Sequence, residues 1–291
     1  MTSTNETAPN QTLGEFVKEV EHSYRRVLSS DDYLLLRLDG RAFHSYTKHL
    51  TRPYDPYLSD AMGETLRLLC EQIAGVRVGY VQSDEISLLI SAFTNVEVSP
   101  DYPEGIKQGE LWMGGVEAKL LSLSASMATA LFNDLREKQL TTLKLLEVGG
   151  ETEKHNFHPS LAQFDARLWQ FPGHSGGAEL VRRYFLWRWK DCVKNSVTML
   201  ANTLYSPREL SGRNSDERRE FILLRGENWD EVEDRFKYGQ VCRRHELTGP
   251  ITFTHKRTGE LQTINATRHE WKLEAVPDFT QIWDRSSLPI K

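Results

Sequence analysis

Three acidic residues stand where apolar runs of this chain end, and their type and placement suit the binding of a divalent cation. Asp39 closes one apolar run, and Asp84 and Glu85 lie between two others. Mg²⁺ prefers oxygen ligands and is commonly held by one or two carboxylates plus substrate phosphates. Asp39, the Gly40 carbonyl and Asp84 would be sufficient anchors. An Asp-Gly turn or a solvated hairpin tip is the better interpretation of either piece alone, whereas the two pieces on adjacent strands favour a metal site.

The loop after Asp39 is the second candidate for chemistry. It comprises Arg41, Ala42, Phe43 and His44. Successive backbone N–H groups in such a loop can hold a triphosphate. A plain connection with Phe43 in the core is comparably consistent with the spacing, so both interpretations stay open.

Hydrophobic periodicity predicts the elements that must position these groups. Strand-like apolar runs and helix-like spacing alternate in the order strand, helix, strand, strand, helix, strand. The segments are Tyr33–Leu38, Tyr57–Ile73, Val76–Val81, Ile86–Ala92, Trp112–Asn133 and Gln163–Leu168. This order predicts an α+β, ferredoxin-like (split βαβ) fold, the palm of many polymerases and nucleotidyl cyclases. Its first and third strands are adjacent, so Asp39 and Asp84 would share a site.

The remaining patterns predict the domain organisation. We expect a disordered N-terminus at 1–12, a palm catalytic domain at 13–178 and a mainly helical C-terminal region at 179–291 packed on the palm. Within these parts, helices are predicted at Leu13–Leu28, Glu179–Leu204, Ser215–Leu224 and Trp229–Lys237, and a hairpin at Ile251–His255 and Glu260–Ile264. The stretch Arg136–Ser160 indicates a surface loop or insertion, in which His155 and His158 are interpreted as surface histidines.

The helix predicted at Glu179–Leu204 mixes aromatic and basic residues. Arg188, Asp191 and Asn195 are three and four residues apart and therefore share one face, and Lys190 and Lys194 add positive charge. A helix packed by its aromatic residues with a solvated basic side explains this pattern. Contact with an RNA backbone explains it too, because basic groups neutralise phosphates and aromatic rings stack on bases, and the spacing does not choose between them.

The bulk composition restricts the class of protein. The chain has 291 residues, 39% hydrophobic and 26% charged, with a net charge of −5, so no global basic field indicates a nucleic-acid binder. Its three cysteines, widely spaced, suit a reducing compartment. The first dozen residues are polar, and no window approaches the roughly 18 apolar residues of a membrane span. We expect a cytoplasmic protein with no membrane partner.

Several motifs together resemble the tRNA-His guanylyltransferase family, in its bacterial guanylyltransferase-like branch of 3′→5′ polymerases. The similarity runs from about Leu13 to the C-terminus. The motifs are Leu38-Asp-Gly-Arg-Ala-Phe-His44, Gln82-Ser-Asp-Glu-Ile-Ser87, Phe164-Asp-Ala-Arg167 and Trp187-Arg188 through Asp191-Cys192 and Asn195.

The resemblance implies roles for particular residues. Asp39, Gly40 and Asp84 would hold two Mg²⁺ ions, and Glu85 matches a neighbouring acidic position, so Asp39, Asp84 and Glu85 form the expected catalytic set. RNA contacts are expected at Arg188, Lys190, Lys194 and Asn195. The implied nucleotide-binding residues are Asp39, Gly40, Arg41, Ala42, Phe43, His44, Arg52, Asp55, Ser83, Asp84 and Lys119.

The resemblance also implies the reaction and the partners. ATP or GTP would activate the 5′-phosphate of a tRNA, and the 3′-hydroxyl of an incoming nucleotide, commonly GTP, would then attack that end. A homo-tetramer, as a dimer of dimers, would bind tRNA across subunits, which reconciles an acidic chain with an RNA substrate. Two other classes remain open: a palm-fold nucleotidyl cyclase that acts without RNA, and a non-catalytic RNA-binding protein.

Overall fold

Helices and strands alternate along the chain and build one central sheet. The computed structural model describes residues 11–95, 98–103, 105–146, 161–174 and 176–282. His155 and His158, and residues 1–10 of the predicted N-terminal segment, lie outside the described residues. The helices are α1 Leu13–Ser23, α2 Phe43–Tyr46, α3 Pro56–Gln72, α4 Glu117–Leu146, α5 Gly177–Leu204, α6 Ser215–Leu224 and α7 Asp234–Tyr238. The strands are β1 Tyr33–Gly40, β2 Val76–Gln82, β3 Glu85–Ser91, β4 Phe93–Asn95, β5 Ile106–Gln108, β6 Phe164–Phe171, β7 Gln240–Thr254 and β8 Leu261–Ala275.

Six strands form an antiparallel sheet in the order β6-β1-β3-β2-β7-β8, and β4 pairs separately with β5. β1 lies between β6 and β3 and pairs with both along its whole length. Its continuous apolar run is explained by this position, since a strand covered on both faces has no solvent side. The predicted adjacency of the first and third strands is therefore confirmed, within a mixed α/β fold.

One face of the sheet is covered by α3 and α4. Leu34, Leu36 and Leu38 of β1 point to this side and pack in one cluster with residues of both helices. Leu66 of α3 and Phe132 of α4 are fully buried in it. The alternation of side chains along a strand thus assigns the even-numbered residues of β1 to this layer.

The opposite face is covered by α5. Tyr33 and Leu35 of β1 pack there against Val181 and Phe185 of α5. Arg37 and Asp39 continue the same alternation, so they lie on the α5 side where the strand leaves the core. The far end of α5 packs against α6 and Trp229 in a separate apolar cluster.

Two predicted boundaries on α4 are wrong. The helix begins at Glu117 rather than Trp112, because Met113, Gly114 and Gly115 have left-handed φ angles. It continues to Leu146, so the first part of the stretch predicted as a surface loop from Arg136 is helical. That part lacks a clear apolar stripe, which explains why periodicity did not indicate a helix there.

The C-terminal region carries more strand than predicted. The predicted hairpin exists, but its strands are 15 residues each, and β7 pairs with β2 from Val78↔Arg243 to Val81↔Gln240. Charged residues exposed along the hairpin hide the apolar alternation on which a prediction depends. The helix predicted at Trp229–Lys237 is a 3₁₀ turn followed by α7.

α1 is shorter than predicted and ends at Ser23, and none of its residues is buried. Among the described residues no helix combines the length and the apolar character needed to cross a membrane.

Candidate active site

Strand pairing brings Asp39 and Asp84 to the same end of the sheet. Asp39 lies opposite Glu85 in the β1–β3 register, and the Gly40 N–H donates to the Asp84 carbonyl at 3.0 Å. The two carboxylates predicted as cation anchors are thus neighbours across adjacent strands, although they are far apart in sequence. Packing also favours a glycine at position 40, because a Cβ there would overlap the Phe43 ring.

Asp84 sits in a two-residue turn between β2 and β3. Ser83, the other turn residue, has a φ of 48°, which is uncommon for a residue other than glycine. The turn leaves Ser83 exposed and Asp84 half-buried. Left-handed backbone at non-glycine residues is often found where a protein positions functional groups, so the turn is consistent with a site.

The electrostatic environment of Asp84 favours a bound cation. Burial raises the pKa of the Asp84 carboxyl, the charge of Asp39 adds to that rise, and hydrogen bonds from its own backbone and from Ser83 oppose it. Within the described part of the chain, no arginine or lysine forms an ion pair with Asp84, and the guanidinium nitrogens nearest to Asp39 are 3.8 Å away, on Arg37 and Arg167. Two close carboxylates without a tight cationic partner repel each other.

Glu85 has a different environment from the other two carboxylates. Its Oε2 lies 3.1 Å from Arg188 Nη1 and 3.8 Å from Arg37 Nη1. Burial raises the pKa of Glu85, and the two arginines oppose that rise. Arg188 also binds Asp191. The predicted catalytic Glu85 is therefore part of a buried ion-pair network beside Asp39.

The donor set at this end of the sheet consists of oxygen atoms. The described residues contain no group of three or more His, Cys, Asp or Glu side chains arranged to hold a metal. Two carboxylates and a backbone carbonyl nevertheless fit Mg²⁺, since this ion keeps several waters and takes further ligands from substrate phosphates. Asp39, Gly40 and Asp84 fit that requirement.

The segment predicted as a loop from Arg41 to His44 lies against the end of the sheet, but only its first two residues are irregular, because α2 begins at Phe43. The Arg41 N–H donates to the Gln163 carbonyl at 2.8 Å, and its guanidinium donates to the Gln163 side chain at 2.7 Å. Phe43 is buried against Tyr46, Phe132 and Phe164. The Phe43 side chain thus belongs to the core, while Ala42, with a φ of 54°, and His44 are exposed.

The three outlying nucleotide-binding predictions have different surroundings. Asp55 caps α3, because its Oδ1 accepts from the Leu58 N–H at 2.7 Å and its Oδ2 from the Thr51 N–H at 3.1 Å. Arg52 and Lys119 are exposed, and neither forms an ion pair with a described residue.

A cleft beside the β2–β3 turn connects two of the predicted sites. Asp55, Ser83 and Asn195 all line it, between α3, the turn and α5. Its walls are mainly apolar, with Met62, Cys192 and Phe236 among them. Of the predicted nucleotide-binding and RNA-binding residues, these three are brought to one cavity next to the carboxylates.

The predicted RNA-binding residues of α5 separate into two groups. Arg188 is buried in the ion-pair network, with 7% of its side chain exposed. Lys190, Lys194 and Asn195 are exposed, and the Asn195 amide donates to Asp191 at 3.1 Å. Arg37 was not among the predicted site residues, although it lies 3.8 Å from both Asp39 and Glu85. Its charge within an otherwise apolar strand was the sequence feature that could have indicated it.

The chain is similar to proteins of known name. A model of the family described as tRNAHis guanylyltransferase matches residues 14–172. A tRNA(His) guanylyltransferase of Debaryomyces hansenii is 25% identical over 281 residues, which cover 91% of this chain and 94% of that protein.

Solved structures agree with the family match. A bacterial tRNA(HIS) guanylyltransferase (Thg1)-like protein in complex with ATP is 26% identical, with a TM-score of 0.69 over 93% of this chain and 95% of that one. The like-named protein in complex with GTP is 26% identical, with a TM-score of 0.61 over 92% of this chain and 93% of that one. The family model spans more than half of the chain, and the chain therefore belongs to the tRNAHis guanylyltransferase family.

Proposed function

We propose that this protein is a metal-dependent nucleotidyltransferase that adds nucleotides to the 5′ end of a tRNA after activating that end with ATP or GTP. The observation that carries the proposal is that the pairing of β1 with β3 brings Asp39 beside the turn that holds Asp84, where the Gly40 N–H donates to the Asp84 carbonyl. These carboxylates lack a tight cationic partner among the described residues, as a site that receives Mg²⁺ and phosphates requires. The family membership supports the tRNA substrate, and the ATP and GTP complexes of similar proteins support the nucleotides.

We further propose that Asp39, the Gly40 carbonyl and Asp84 hold two Mg²⁺ ions. Bound there, the ions would polarise the phosphoryl group and stabilise the charge of the attacking and leaving oxygens. The protein's own residues then contribute position and electrostatics rather than a side-chain nucleophile. The backbone after Asp39 and the Ser83 turn lie where the phosphates would bind, while the buried network of Glu85, Arg37 and Arg188 holds the strand ends in place.

The sheet supports a ferredoxin-like palm as the catalytic domain. The order β6-β1-β3-β2 with α3 and α4 on one face is that of a split βαβ unit. The division at residue 178 rests on this unit ending with β6, although β7 and β8 extend the same sheet. The homo-tetramer and the cytoplasmic location stay predictions.

An extension assay tests the function. A tRNA that carries a 5′-monophosphate and lacks its first nucleotide is incubated with ATP, labelled GTP and Mg²⁺. We expect a product one nucleotide longer, loss of that product with EDTA, and at least about a hundredfold slower extension by Asp84→Asn, because a ligand of the Mg²⁺ ions that stabilise the reacting phosphates is lost. Asp134→Asn is the matched control, since it removes an exposed carboxylate from α4 whose ion pair, with Lys138, lies outside the site.

Two outcomes would reject the proposal. Extension that is absent in the wild type, or undiminished in Asp84→Asn, contradicts a carboxylate-metal mechanism at this site. A cyclic product from GTP in the absence of RNA would instead favour a nucleotidyl cyclase, for which the same paired carboxylates would serve.

A further inference from the structure

Three aromatic rings form a row beside the carboxylates. The ring centroids of Trp169, on β6, and Tyr184, on α5, are 5.7 Å apart, and those of Tyr184 and Trp187 are 5.9 Å apart. Trp187 ends the row with 55% of its surface exposed. Burial of such a large apolar side chain is normally favourable, so the exposed half of the indole leaves apolar surface available to a partner.

Trp187 is held in a fixed position relative to the active site. The Arg188 guanidinium carbon lies 4.0 Å from the centre of the Trp187 ring. The same guanidinium is buried and binds Glu85, which lies opposite Asp39. One arginine thus links the indole to the carboxylates, and its burial leaves it little freedom to move.

The exposed side of α5 around Trp187 is basic. Arg183, Trp187, Lys190 and Lys194 are spaced by four, three and four residues, which puts them on one helical face, and all four are exposed. Arg183 is the only one with an ion-pair partner among the described residues, the half-buried Glu179. A row of cations with one aromatic ring matches the chemistry of single-stranded nucleic acid, whose phosphates are neutralised while a base stacks.

We propose that Trp187 is a stacking platform for an unpaired base at the end of the RNA substrate, and that Arg183 and Lys190 bind the phosphates on either side of that base. This inference rests on the proposed function, because a duplex end that is one nucleotide short carries an unpaired base on its other strand. Inside a helix both faces of a paired base are covered by its neighbours, whereas an unpaired terminal base can turn out of the duplex and stack on the indole. Trp187 is a positioning residue rather than a catalytic one.

Binding without nucleotides tests the stacking directly. Fluorescence anisotropy compares a labelled RNA duplex that has one unpaired terminal base with a blunt duplex of the same sequence. We expect Trp187→Ala to weaken binding of the unpaired-end RNA by about 5- to 100-fold, the range for loss of one base–aromatic stack. Binding of the blunt duplex should change by less than about 2-fold, because phosphate contacts are retained.

Matched variants separate an aromatic role from a merely apolar or structural one. Trp187→Phe should bind the unpaired-end RNA nearly as the wild type does, and Trp187→Leu should behave like Trp187→Ala. Leu224→Ala is the control, because it removes another exposed apolar side chain, 77% exposed at the end of α6. Full binding by Trp187→Leu, or equal weakening for both duplexes, would overturn the inference. The melting temperature of each variant checks that it is folded.

Failure of the stacking inference can be distinguished from failure of the proposed function. Asp84→Asn should bind the unpaired-end RNA like the wild type and fail to extend it. If the wild type extends RNA while Trp187→Ala keeps its Kd and its KM for RNA, only the stacking inference is rejected. If the wild type shows Trp187-dependent binding but no extension, only the proposed function is rejected. A rise in KM for GTP alone would assign the indole to the nucleotide and overturn the RNA platform.

Discussion

Replacement of Arg188 by methionine is expected to destabilise the protein strongly, because it leaves a buried carboxylate without its main partner. Arg188 and Glu85 have 7% and 12% of their side chains exposed and are joined at 3.1 Å. Removal of one member of a buried ion pair typically costs about 3–5 kcal/mol. Arg37 remains 3.8 Å from Glu85 and compensates in part, so we expect a loss of about 2–4 kcal/mol in the free energy of unfolding.

Urea unfolding of four proteins measures this coupling. The set is the wild type, Arg188→Met, Glu85→Gln and the double variant, with fluorescence as the signal. A loss of 3 kcal/mol lowers the midpoint by about 1 M at an m value of about 3 kcal/mol/M. The double variant should lose less than Arg188→Met alone, because replacing both partners leaves no uncompensated buried charge.

The pH dependence of the stability of Arg188→Met provides an independent test. In the wild type, burial raises the pKa of Glu85 and Arg188 opposes this, so Arg188→Met should raise that pKa further. The folded variant then retains a proton that the unfolded chain releases above its pKa of about 4.3. Stability of the variant relative to the wild type should therefore fall as the pH rises through and above the raised pKa of Glu85 in the folded wild type, where only the folded variant retains this proton.

A loss below about 1 kcal/mol in Arg188→Met, which is the range of an exposed ion pair, would contradict a strongly coupled buried pair of Arg188 and Glu85. A double variant that loses at least as much stability as Arg188→Met alone would contradict it as well. In the double variant the carboxylate is absent, so the added pH dependence should disappear.

Three further predictions concern single side chains. Asp84→Asn should raise the melting temperature in EDTA by roughly 2–4 °C, because it removes a half-buried charge near Asp39; at this chain length the shift corresponds to about 1 kcal/mol. In the same thermal-shift assay, added Mg²⁺ should stabilise the variant less than the wild type. Asp55→Ala should cost about 1 kcal/mol in urea unfolding through loss of the α3 cap, with Asp55→Asn close to the wild type, whereas a large rise in KM for GTP in both variants would show that the carboxylate binds nucleotide. Gly79→Ala should cost about 1–3 kcal/mol, because the added Cβ would lie 2.9 Å from Cys70 Sγ in the core; Gly14→Ala, with open space around it, is the control and should be neutral or stabilising in the same measurement.

Hydrophobic patterns in the sequence were sufficient to predict the parts of the site that lie at the ends of strands. The apolar run before Asp39 and the paired runs around Asp84 predict their own strands, and the element order predicts that the strands are adjacent. The helix and loop boundaries were predicted less well where side chains are exposed on all sides. The outer part of the β7–β8 hairpin is of this kind, because it buries too little apolar surface to produce a period.

Tertiary structure alone decided which groups share a partner. Local sequence was sufficient to indicate the acidic strand ends and the basic, aromatic character of α5, since each depends on neighbouring residues, and the element order indicated that β1 and β3 are adjacent. It did not determine that Arg188 points inward to Glu85 while Trp187 remains exposed, or that Arg37 lies between Asp39 and Glu85. Those contacts depend on the register of β1 and β3 and on the position of α5 across the sheet. Long-range packing determines both the register and the position of α5, and the hydrophobic periodicity of a single segment carries no information about either.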